Sequence, residues 1–341
     1  MKKLHLIFTL IALMASTFSF SQNTLVAVLS YDNNVQMFYG PSALKNAVEV
    51  AVSGDVITLS AGQFAPCKIT KGITIRGMGA EGNDMTWIKE YSANSSGTIS
   101  ISIPESDENN FIIEGINLTS ATNILGTSKG YIAKCKTSTI SFNSTSSANI
   151  KMVNCNVSGL ALNGSSNLKL SNCRVNNLTN SSNTTSKADV FNCYLTSNEY
   201  TGGLPYRCSF VNCLIYYTSY SSGGTLPADA SAMNSIFIKN SSGGTRVDCY
   251  NATVQQVFAS YENKLVDSRY GIYADVPTTD QLSETAKATY LGTDGKEVGI
   301  YGGQSPYDLT PTYPLITKLN VAKQATADNK LSVEIEVTAA E

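Results

Sequence analysis

Apolar and polar positions recur along the chain between positions 113 and 237 with a regular period. Each block contains an Asn-Cys dipeptide or a close variant, and an apolar residue follows two places after the Cys position. The dipeptides are Asn154-Cys155, Asn172-Cys173, Asn192-Cys193, Asn212-Cys213 and the variant Asn234-Ser235. A near-constant period of about twenty residues indicates a repeat protein in which each unit stacks on the next.

The Asn position of the repeat predicts a tight turn. Asn and Gly enter the left-handed backbone region at low cost, and Gly115 and Gly77 fit the same frame upstream. Because side chains alternate along a strand, the Cys position and the apolar position after it both point into the core. The apolar series is Val157, Val175, Leu195, Ile215 and Phe237. We expect the stacked Asn side chains to hydrogen-bond to one another along the stack.

These blocks predict an all-β solenoid, a parallel β-helix with one coil per repeat. The alternative is a leucine-rich solenoid, which needs several Leu in each unit, whereas these units have one at most. The separation of Gly77 and Gly115 is close to two repeats, so we expect a further coil between them. Asp248-Cys249 follows Asn234-Ser235 by less than one repeat, which indicates either a tightened turn or a slipped frame.

A short amphipathic helix is predicted at residues 42–54. Ser42 suits the N-cap and Gly54 suits the position after the C-cap. One helical face is apolar and holds Ala43, Leu44, Ala47, Val48 and Ala51. The open end of a solenoid exposes core and unpaired backbone, so this helix is the expected cap of the first coil.

The stretch ALKNAVEVAVSGDVITLSAGQFAPCKITKGITIRGMG (43–79) resembles the opening of secreted bacterial right-handed parallel β-helix proteins of the pectate lyase-like superfamily. Residues 282–303, LSETAKATYLGTDGKEVGIYGG, resemble the closing segment of many such proteins. The resemblance implies a single-stranded right-handed parallel β-helix with a short N-terminal capping helix over residues 22–303. It implies no single activity, because binding proteins, lyases, hydrolases and adhesins share this fold.

The two ends of the chain carry other signals. A basic start, an apolar run and small residues before Ser21 predict a secretory signal over residues 1–21, with a membrane anchor as the alternative. Export to the periplasm, cell surface or medium is therefore expected, and no later segment is long enough to span a membrane. Residues 304–341 predict a proline-rich linker and a strand at 331–337 that packs on the solenoid or on a partner. The oligomeric state stays open.

Net charge and cysteine spacing bear on nucleic-acid binding, on disulfide formation and on metal binding. Charged residues make up 15% of the chain and the net charge is −2, which gives no electrostatic footprint for nucleic acid. Five of the eight cysteines follow the coil, which favours a ladder of buried free thiols over disulfides between coils: Cys135, Cys155, Cys173, Cys193 and Cys213. Cys67, Cys208 and Cys249 lie outside this ladder. No CxxC pair or Cys/His cluster occurs, so we expect no metal and no cofactor.

Catalytic residues are hard to assign because the only histidine is His5, inside the predicted signal. Two mechanisms remain, elimination by a polysaccharide lyase with acid-bound Ca²⁺, and glycoside hydrolysis by paired carboxylates. Between residues 120 and 245 the acids are only Asp189, Glu199 and Asp229, which are scattered. Lys151 and Lys169 each precede an Asn-Cys pair by three and are expected to stack. We therefore favour a noncatalytic glycan-binding or surface scaffold protein, with a lyase or hydrolase acting on an acidic polysaccharide as the alternative.

A cluster of tyrosines supplies the candidate ligand site. Aromatic rings stack on sugars, and a nearby cation would suit an acidic polysaccharide or cell-surface glycan. The predicted site is Tyr194, Tyr200, Tyr206, Arg207, Tyr216, Tyr217 and Tyr220. The alternative is that these rings pack against the side of the solenoid or the C-terminal strand.

Overall fold

A computed structural model describes most of the chain. The described residues are 25–32, 34–90, 97–126, 128–143, 147–164, 166–180, 185–197, 204–218, 224–239, 242–268, 271–313, 315–321 and 333–338. The predicted signal, together with Tyr200 and Tyr220, lies outside this part of the chain. None of the described helices is long and apolar enough to cross a membrane.

Short strands dominate the described chain, with three short helices. The N-terminal elements are β1 (Val26–Tyr31), β2 (Asn34–Tyr39), α1 (Ala43–Val50), β3 (Val56–Leu59), β4 (Gly62–Phe64), β5 (Lys68–Ile69), β6 (Thr74–Gly79), β7 (Thr86–Ile88), β8 (Ile99–Ile101), β9 (Phe111–Leu118) and β10 (Thr122–Ile124). The central elements are β11 (Lys129–Ala133), β12 (Lys136–Phe142), β13 (Asn149–Val153), β14 (Asn156–Leu162), β15 (Asn167–Ser171), β16 (Arg174–Val175), β17 (Leu178–Asn180), β18 (Lys187–Phe191), β19 (Tyr194–Ser197), β20 (Cys208–Val211) and β21 (Leu214–Tyr217). The C-terminal elements are β22 (Ser231–Met233), β23 (Ile236–Ile238), β24 (Thr245–Val247), β25 (Tyr250–Ala252), α2 (Val254–Val257), β26 (Tyr261–Asp267), β27 (Ile272–Pro277), α3 (Glu284–Thr289), β28 (Leu315–Val321) and β29 (Val333–Thr338).

Stacked parallel strands form the three faces of a β-helix, as predicted. The first face runs through β3, β6, β9, β11, β13, β15, β18, β20, β22 and β24. The second face runs through β7, the end of β9, the starts of β12 and β14, then β16, β19, β21, β23 and β25. The third face runs through β5, β8, β10, the ends of β12 and β14, and β17.

The interior is an apolar column built from the same positions in each coil. In one coil, Ile150, Met152, Cys155, Val157 and Leu160 are all buried. All eight cysteines are free, and seven of them are buried, which confirms the predicted thiol ladder. The ladder also bonds to the backbone: the Cys155 N–H donates to Cys173 Sγ at 3.4 Å, and the Cys173 N–H donates to Cys193 Sγ at 3.3 Å.

The corner between the first and second faces contains the predicted left-handed turns. The φ values are 52, 50, 50, 56 and 45° at Asn154, Asn172, Asn192, Asn212 and Asn234. Gly115 (65°) and Asp248 (51°) take the same conformation, so the short step from Asn234 to Asp248 is a tightened coil. Lys134 also occupies this position, with φ 52°, and was not predicted.

Two predictions about the upstream coils were wrong. No coil is hidden between Gly77 and Gly115, because β6 pairs directly with β9 through Ile75–Ile113 and Arg76–Glu114. The chain between the two glycines is one long coil that also contains β7 and β8. Gly77 does not take the left-handed turn, since the register shifts between Arg76 and Gly79 and the positive φ falls at Gly79.

The first coil is covered by α1 and by the β1–β2 hairpin. Strand β1 pairs antiparallel with both β2 and β3, and α1 buries Ala43, Leu44, Ala47 and Val48 in the core. The helix is shorter than predicted. Ser42 is the N-cap residue but its side chain makes no capping bond, and Gly54 is not the residue after the C-cap, because the helix ends at Val50 with Ala51 as C-cap.

A C-terminal unit covers the second face. It contains α2, the antiparallel β26–β27 hairpin, α3 and a segment at residues 291–313 that we term the strap. Its apolar residues form a second core with outward-facing residues of the second face, among them Tyr194, Leu214, Tyr216, Ile236 and Ile238. Beyond the strap, β28 and β29 form an antiparallel hairpin, and β29 falls where a strand was predicted.

The strap follows the turn positions in reverse chain order. Asn212 Nδ2 donates to Thr293 Oγ1 (3.1 Å), Asn172 Nδ2 to the Ile300 and Gly302 carbonyls (2.9 and 2.8 Å), and Asn154 Nδ2 to the Pro306 carbonyl (3.3 Å). Further along, Lys134 Nζ lies 3.0 Å from Asp308 Oδ2, and the Tyr313 hydroxyl donates to the Gly77 carbonyl. The expected bonding between stacked Asn side chains is therefore wrong for these residues, because their amides bind the strap.

Candidate functional site

The outward side of the first face presents lysines and asparagines in register. Strand alternation points every second residue of β11, β13, β15 and β18 away from the core. The exposed residues at these positions are Lys129, Asn149, Lys151, Asn167, Lys169, Lys187 and Asp189, and we term this surface the lysine–asparagine face. Most of them line one shallow groove. Each step from coil to coil is about 4.8 Å, so the groups recur along the solenoid axis.

Pairing between coils orders this face. Lys151 lies opposite Lys169, as predicted, and Asn149 lies opposite Asn167. Asn167 Nδ2 donates to Asn149 Oδ1 at 3.0 Å, so the two amides form a short ladder along the solenoid. On the next coil, Lys187 follows Asn167 and Asp189 follows Lys169. The result is two columns along the solenoid, Lys129–Asn149–Asn167–Lys187 and Tyr131–Lys151–Lys169–Asp189.

Aromatic rings support two of the lysines. Lys151 Nζ lies 5.6 Å from the centroid of the Tyr131 ring, and Lys169 Nζ lies 5.4 Å from that of Phe191. Cation–π contacts of this kind restrain a side chain without removing its charge. Burial, and then the charge of Glu114, raise the pKa of Tyr131, so its hydroxyl stays a neutral hydrogen-bond donor at physiological pH.

Positive charge dominates the lysine–asparagine face although the whole chain has a net charge of −2. The face carries four lysines, and Asp189 is its one carboxylate. A surface with clustered charge of one sign attracts ligands of the opposite sign and speeds their association. Ammonium and amide groups together can bind carboxylate and hydroxyl groups, which are the polar groups of acidic sugars.

The structure places three of the predicted tyrosines away from solvent. Tyr194 and Tyr216 are 3% and 5% exposed and belong to the second core, under the C-terminal unit. Tyr217 is 0% exposed and packs inside the solenoid. None of these three rings has a face open to a sugar in this structure, which matches the packing alternative raised from the sequence.

Tyr206 and Arg207 are the described members of the predicted site that remain exposed. Tyr206 is 37% exposed, and Arg207 Nε lies 3.6 Å from Asp229 Oδ2. Because Ala188 pairs with Cys208, Arg207 lies one coil beyond Lys187 at the same edge of the first face. These two residues therefore adjoin the lysine–asparagine face, whereas Tyr200 and Tyr220 lie outside the described residues.

Sequence reasoning found only part of this face. Lys151 and Lys169 were expected to stack, but Asn149, Asn167 and Lys187 were not singled out. A signal was present, because each of these three residues precedes the Asn of its Asn-Cys pair by five positions. A search for polar residues at a fixed offset from the repeated dipeptide would have found the whole column.

A second grouping of cation, carboxylate and phenol lies beneath the C-terminal unit. Arg174 contacts Asp280, with 3.1 Å between the nearest nitrogen and oxygen, and its guanidinium lies 5.8 Å from the centroid of the Tyr194 ring. Burial raises the pKa of Asp280, and the charge of Arg174 opposes that shift. The Tyr194 ring is buried, so we interpret this group as a contact between the solenoid and the C-terminal unit.

Neither a metal site among the described residues nor a match to a known protein helps to assign the function of this face. Within the described part of the chain, no group of three or more His, Cys, Asp or Glu side chains is placed to hold a metal ion. Comparisons with protein-family models, with curated proteins and with solved structures found no match for this chain.

Proposed function

We propose that this protein binds an extended acidic polysaccharide along the lysine–asparagine face and does not cleave it. The observation that carries the proposal is the register of Lys151 with Lys169 and of Asn149 with Asn167 on neighbouring coils. A polymer of acidic sugars repeats its carboxylates and hydroxyls along its length, as this face repeats ammonium and amide groups. A solenoid offers such a polymer a long surface of constant composition.

Binding rather than cleavage follows from the groups on the face. Glycoside hydrolysis uses two carboxyl groups on either side of the scissile bond, and the lysine–asparagine face has only Asp189. Its lysines are exposed, which suits charge attraction better than proton abstraction by a neutral amine. We propose that the protein is exported and meets its polysaccharide in the periplasm, at the cell surface or in the medium. A lyase or hydrolase remains the alternative.

The test is retention of the purified full chain in gels containing polygalacturonate, alginate or the neutral polymer dextran. We expect retention by the acidic polymers only, and weaker retention as salt rises. The double variant Lys151→Gln/Lys169→Gln should weaken binding by about 1–2 kcal/mol, which is about 5- to 30-fold. Lys264→Gln removes an exposed lysine on β26, far from the face in the chain, and should leave retention unchanged.

Two results would contradict the proposal. Equal retention by dextran, or unchanged retention of the double variant, would remove the lysine–asparagine face from consideration. The same polymers should also be assayed for new reducing ends and new unsaturated ends after incubation with the protein. Their appearance would establish the lyase or hydrolase alternative in place of simple binding.

A further inference from the structure

Exposed apolar side chains are concentrated at the N-terminal end of the solenoid. Of the fourteen large apolar residues that are exposed in the described chain, six lie between residues 31 and 52. Strand β2 carries Val35, Met37 and Tyr39, which are 61%, 55% and 61% exposed. Strand alternation places these three side chains on one side of the sheet, and the Tyr39 hydroxyl donates to Met37 Sδ at 3.4 Å. Tyr31 and Val52 line a shallow depression beside Val35, which extends an apolar patch of the kind that marks interaction sites.

Strand β2 leaves one edge of the sheet open. Among the described residues it pairs with β1 alone. The Gly40 N–H donates to the Leu25 carbonyl at 2.9 Å, so the backbone groups of Gly40 point toward the β1 side. In an antiparallel pair, the backbone groups of successive residues point alternately toward the partner strand and away from it. The N–H and C=O groups of Val35, Met37 and Tyr39 therefore point away from β1, along the free edge.

Strand β2 has none of the usual features that prevent an edge from pairing. Natural edge strands are protected by charged residues, by proline or by a β-bulge. The strand Asn34–Tyr39 contains no charged residue and no proline, and its register with β1 has no shift. Two copies of this strand can therefore approach each other without bringing like charges together.

The strand is also complementary to a second copy of itself. Antiparallel pairing centred on Met37 sets Met37 against Met37 and Val35 against Tyr39, and pairs of β-branched and aromatic residues stabilise sheets. Pairing centred on Gln36 or on Phe38 would leave one of the three outward residues beyond the end of the other strand. The centre at Met37 is thus the one that uses all the exposed apolar residues of β2.

We propose that this protein forms a two-fold symmetric dimer in which the β2 strands of two copies pair antiparallel about Met37. Val35, Met37 and Tyr39 of one copy exchange backbone hydrogen bonds with Tyr39, Met37 and Val35 of the other. The contact uses the same surface on both copies, so association stops at two. A single pair of short strands buries less surface than a standard interface, so we expect a dissociation constant in the micromolar range.

The dimer would join the first faces of two solenoids into one sheet. Outward residues form an unbroken row from β2 to the lysine–asparagine face: Val35, Ser30, Val56, Thr74, Ile112, Tyr131 and Lys151. The two-fold axis is perpendicular to the shared sheet, so both lysine–asparagine faces lie on the same side of it, about 60 Å apart at a spacing of about 4.8 Å per strand. Two linked sites bind a long polymer more tightly than one site. This consequence rests on the proposed function, whereas the dimer itself does not.

Sedimentation equilibrium of the purified full chain at about 1–100 µM tests the dimer without any polysaccharide. We expect the weight-average mass to rise with concentration toward twice the monomer mass and no further. A monomer at every concentration would overturn the proposal. A mass that continues to rise past two copies would also overturn it, because such growth indicates contact between two different surfaces.

Hydrogen exchange of the wild-type chain at the two ends of this concentration range identifies the strand. The amides of Val35, Met37 and Tyr39 should exchange at least about tenfold more slowly at the high concentration, because pairing protects them. The amides of Gln36 and Phe38 point toward β1 and should change little. A dimer that lacks this alternation has its interface elsewhere, which would contradict the proposal.

A charge at the centre of the interface should separate the copies. Met37→Lys places two ammonium groups side by side on the two-fold axis and should weaken the dimer at least about tenfold. Met233→Lys makes the same chemical change at an exposed methionine of β22 and should associate like the wild type. Wild-type association of Met37→Lys would exclude β2 as the interface.

Cysteine cross-linking tests the register. Residues that face each other in a hydrogen-bonded antiparallel pair have Cα atoms about 5.5 Å apart, which suits a disulfide. Met37→Cys should therefore form a covalent dimer under mild oxidation, in excess of the wild type. Met233→Cys exposes an equivalent thiol away from the axis and measures cross-linking by random collision. Equal yields from the two variants would show that Met37 does not lie on the axis.

Discussion

At the scale of single residues, the repeat asparagine has two roles at Asn154, Asn172 and Asn212, whereas the buried Asn192 Nδ2 has no hydrogen-bond partner among the described residues. The asparagine backbone takes the left-handed turn between the first and second faces, which Gly would do equally well. Its side-chain amide also binds the strap, which Gly cannot do: Asn172 Nδ2 donates to the carbonyls of Ile300 and Gly302. The combination explains the choice of Asn at Asn154, Asn172 and Asn212, where the strap lies over the turn.

Substitutions at Asn172 separate these two roles. Asn172→Gly keeps the turn but loses two buried hydrogen bonds, and should lower the free energy of unfolding by about 1–3 kcal/mol. Asn172→Ala also forces a left-handed backbone on a residue with a Cβ, and should lose about 1–2 kcal/mol more. Urea unfolding measures both. Wild-type stability of Asn172→Gly would show that the amide bonds to the strap contribute nothing.

The buried thiols predict a loss of stability at alkaline pH. Burial raises the pKa of Cys67, Cys135, Cys208 and Cys213 from 9.0 to about 12. The unfolded chain therefore ionises its thiols at lower pH than the folded chain does. The contribution of the protonated thiols to the free energy of unfolding is fully present below pH 9. It decreases as pH rises toward 12, by about 1.4 kcal/mol per pH unit for each thiol.

The measurement is the free energy of unfolding at several pH values from 7 to 11. Cys213→Ala should reduce the slope above pH 9 by the share of one thiol, whatever its effect on stability at pH 7. A slope identical to that of the wild type would indicate that Cys213 does not stay protonated in the folded protein.

The turn could be predicted from sequence because it depends on one residue and its own backbone. The bonding partners of Asn172 could not, because Ile300 and Gly302 lie 128 and 130 residues further along the chain. The burial of Tyr194 and Tyr216 could not be predicted for the same reason, because the C-terminal unit that packs on them lies far along the chain. A pair of aromatic residues on the outside of a strand looks like a binding surface until the C-terminal unit that covers it is placed.

At the scale of elements, the strap binds successive turn positions of the solenoid through complementary polar groups. At Asn154, Asn172 and Asn212 the strap offers carbonyl or hydroxyl oxygens, and at Lys134 it offers Asp308. Near Gly115, where no side chain projects, the Tyr313 hydroxyl and Pro311 fill the space, and the Arg76 guanidinium lies 5.2 Å from the centroid of the Tyr313 ring. The strap therefore fits in one register, and its order along the coils is fixed by side chains.

At Gly302 an added side chain would clash inside the strap and also press on the solenoid. A Cβ there would lie 1.8 Å from the Glu297 carbonyl oxygen and 3.0 Å from Asn192 Nδ2. Gly302→Ala should displace the strap, lower the free energy of unfolding by about 1–3 kcal/mol and speed proteolytic cleavage between residues 291 and 313. The control is Gly295→Asn, since a Cβ at Gly295 meets no atom within 4 Å and Asn tolerates its φ of 73°. Equal protease resistance of the two variants would contradict this account of the strap.

At the scale of the whole molecule, the two ends of the solenoid are closed in different ways. The first coil is covered by α1, which places apolar side chains on the column. The last described coil instead places polar groups at core positions. Strand pairing sets Arg246 beside Ala232 and Asn251 beside Phe237, and the Arg246 guanidinium lies 5.4 Å from the centroid of the Phe237 ring. We expect a charged residue at the end of the apolar column to oppose the stacking of another solenoid there.

Replacing that charge should therefore change how molecules associate. In Arg246→Leu the apolar column continues into the last described coil, where Arg246 pairs with the buried Ala232. We expect end-to-end association, with a weight-average mass by sedimentation equilibrium that exceeds the wild-type value at equal concentration and rises with concentration. The association should persist at high salt, because burial of apolar surface drives it. Lys264→Leu makes the same chemical change at an exposed position of the β26–β27 hairpin and should sediment like the wild type. If Arg246→Leu sediments like that control, the polar last coil is not what keeps the solenoid ends apart.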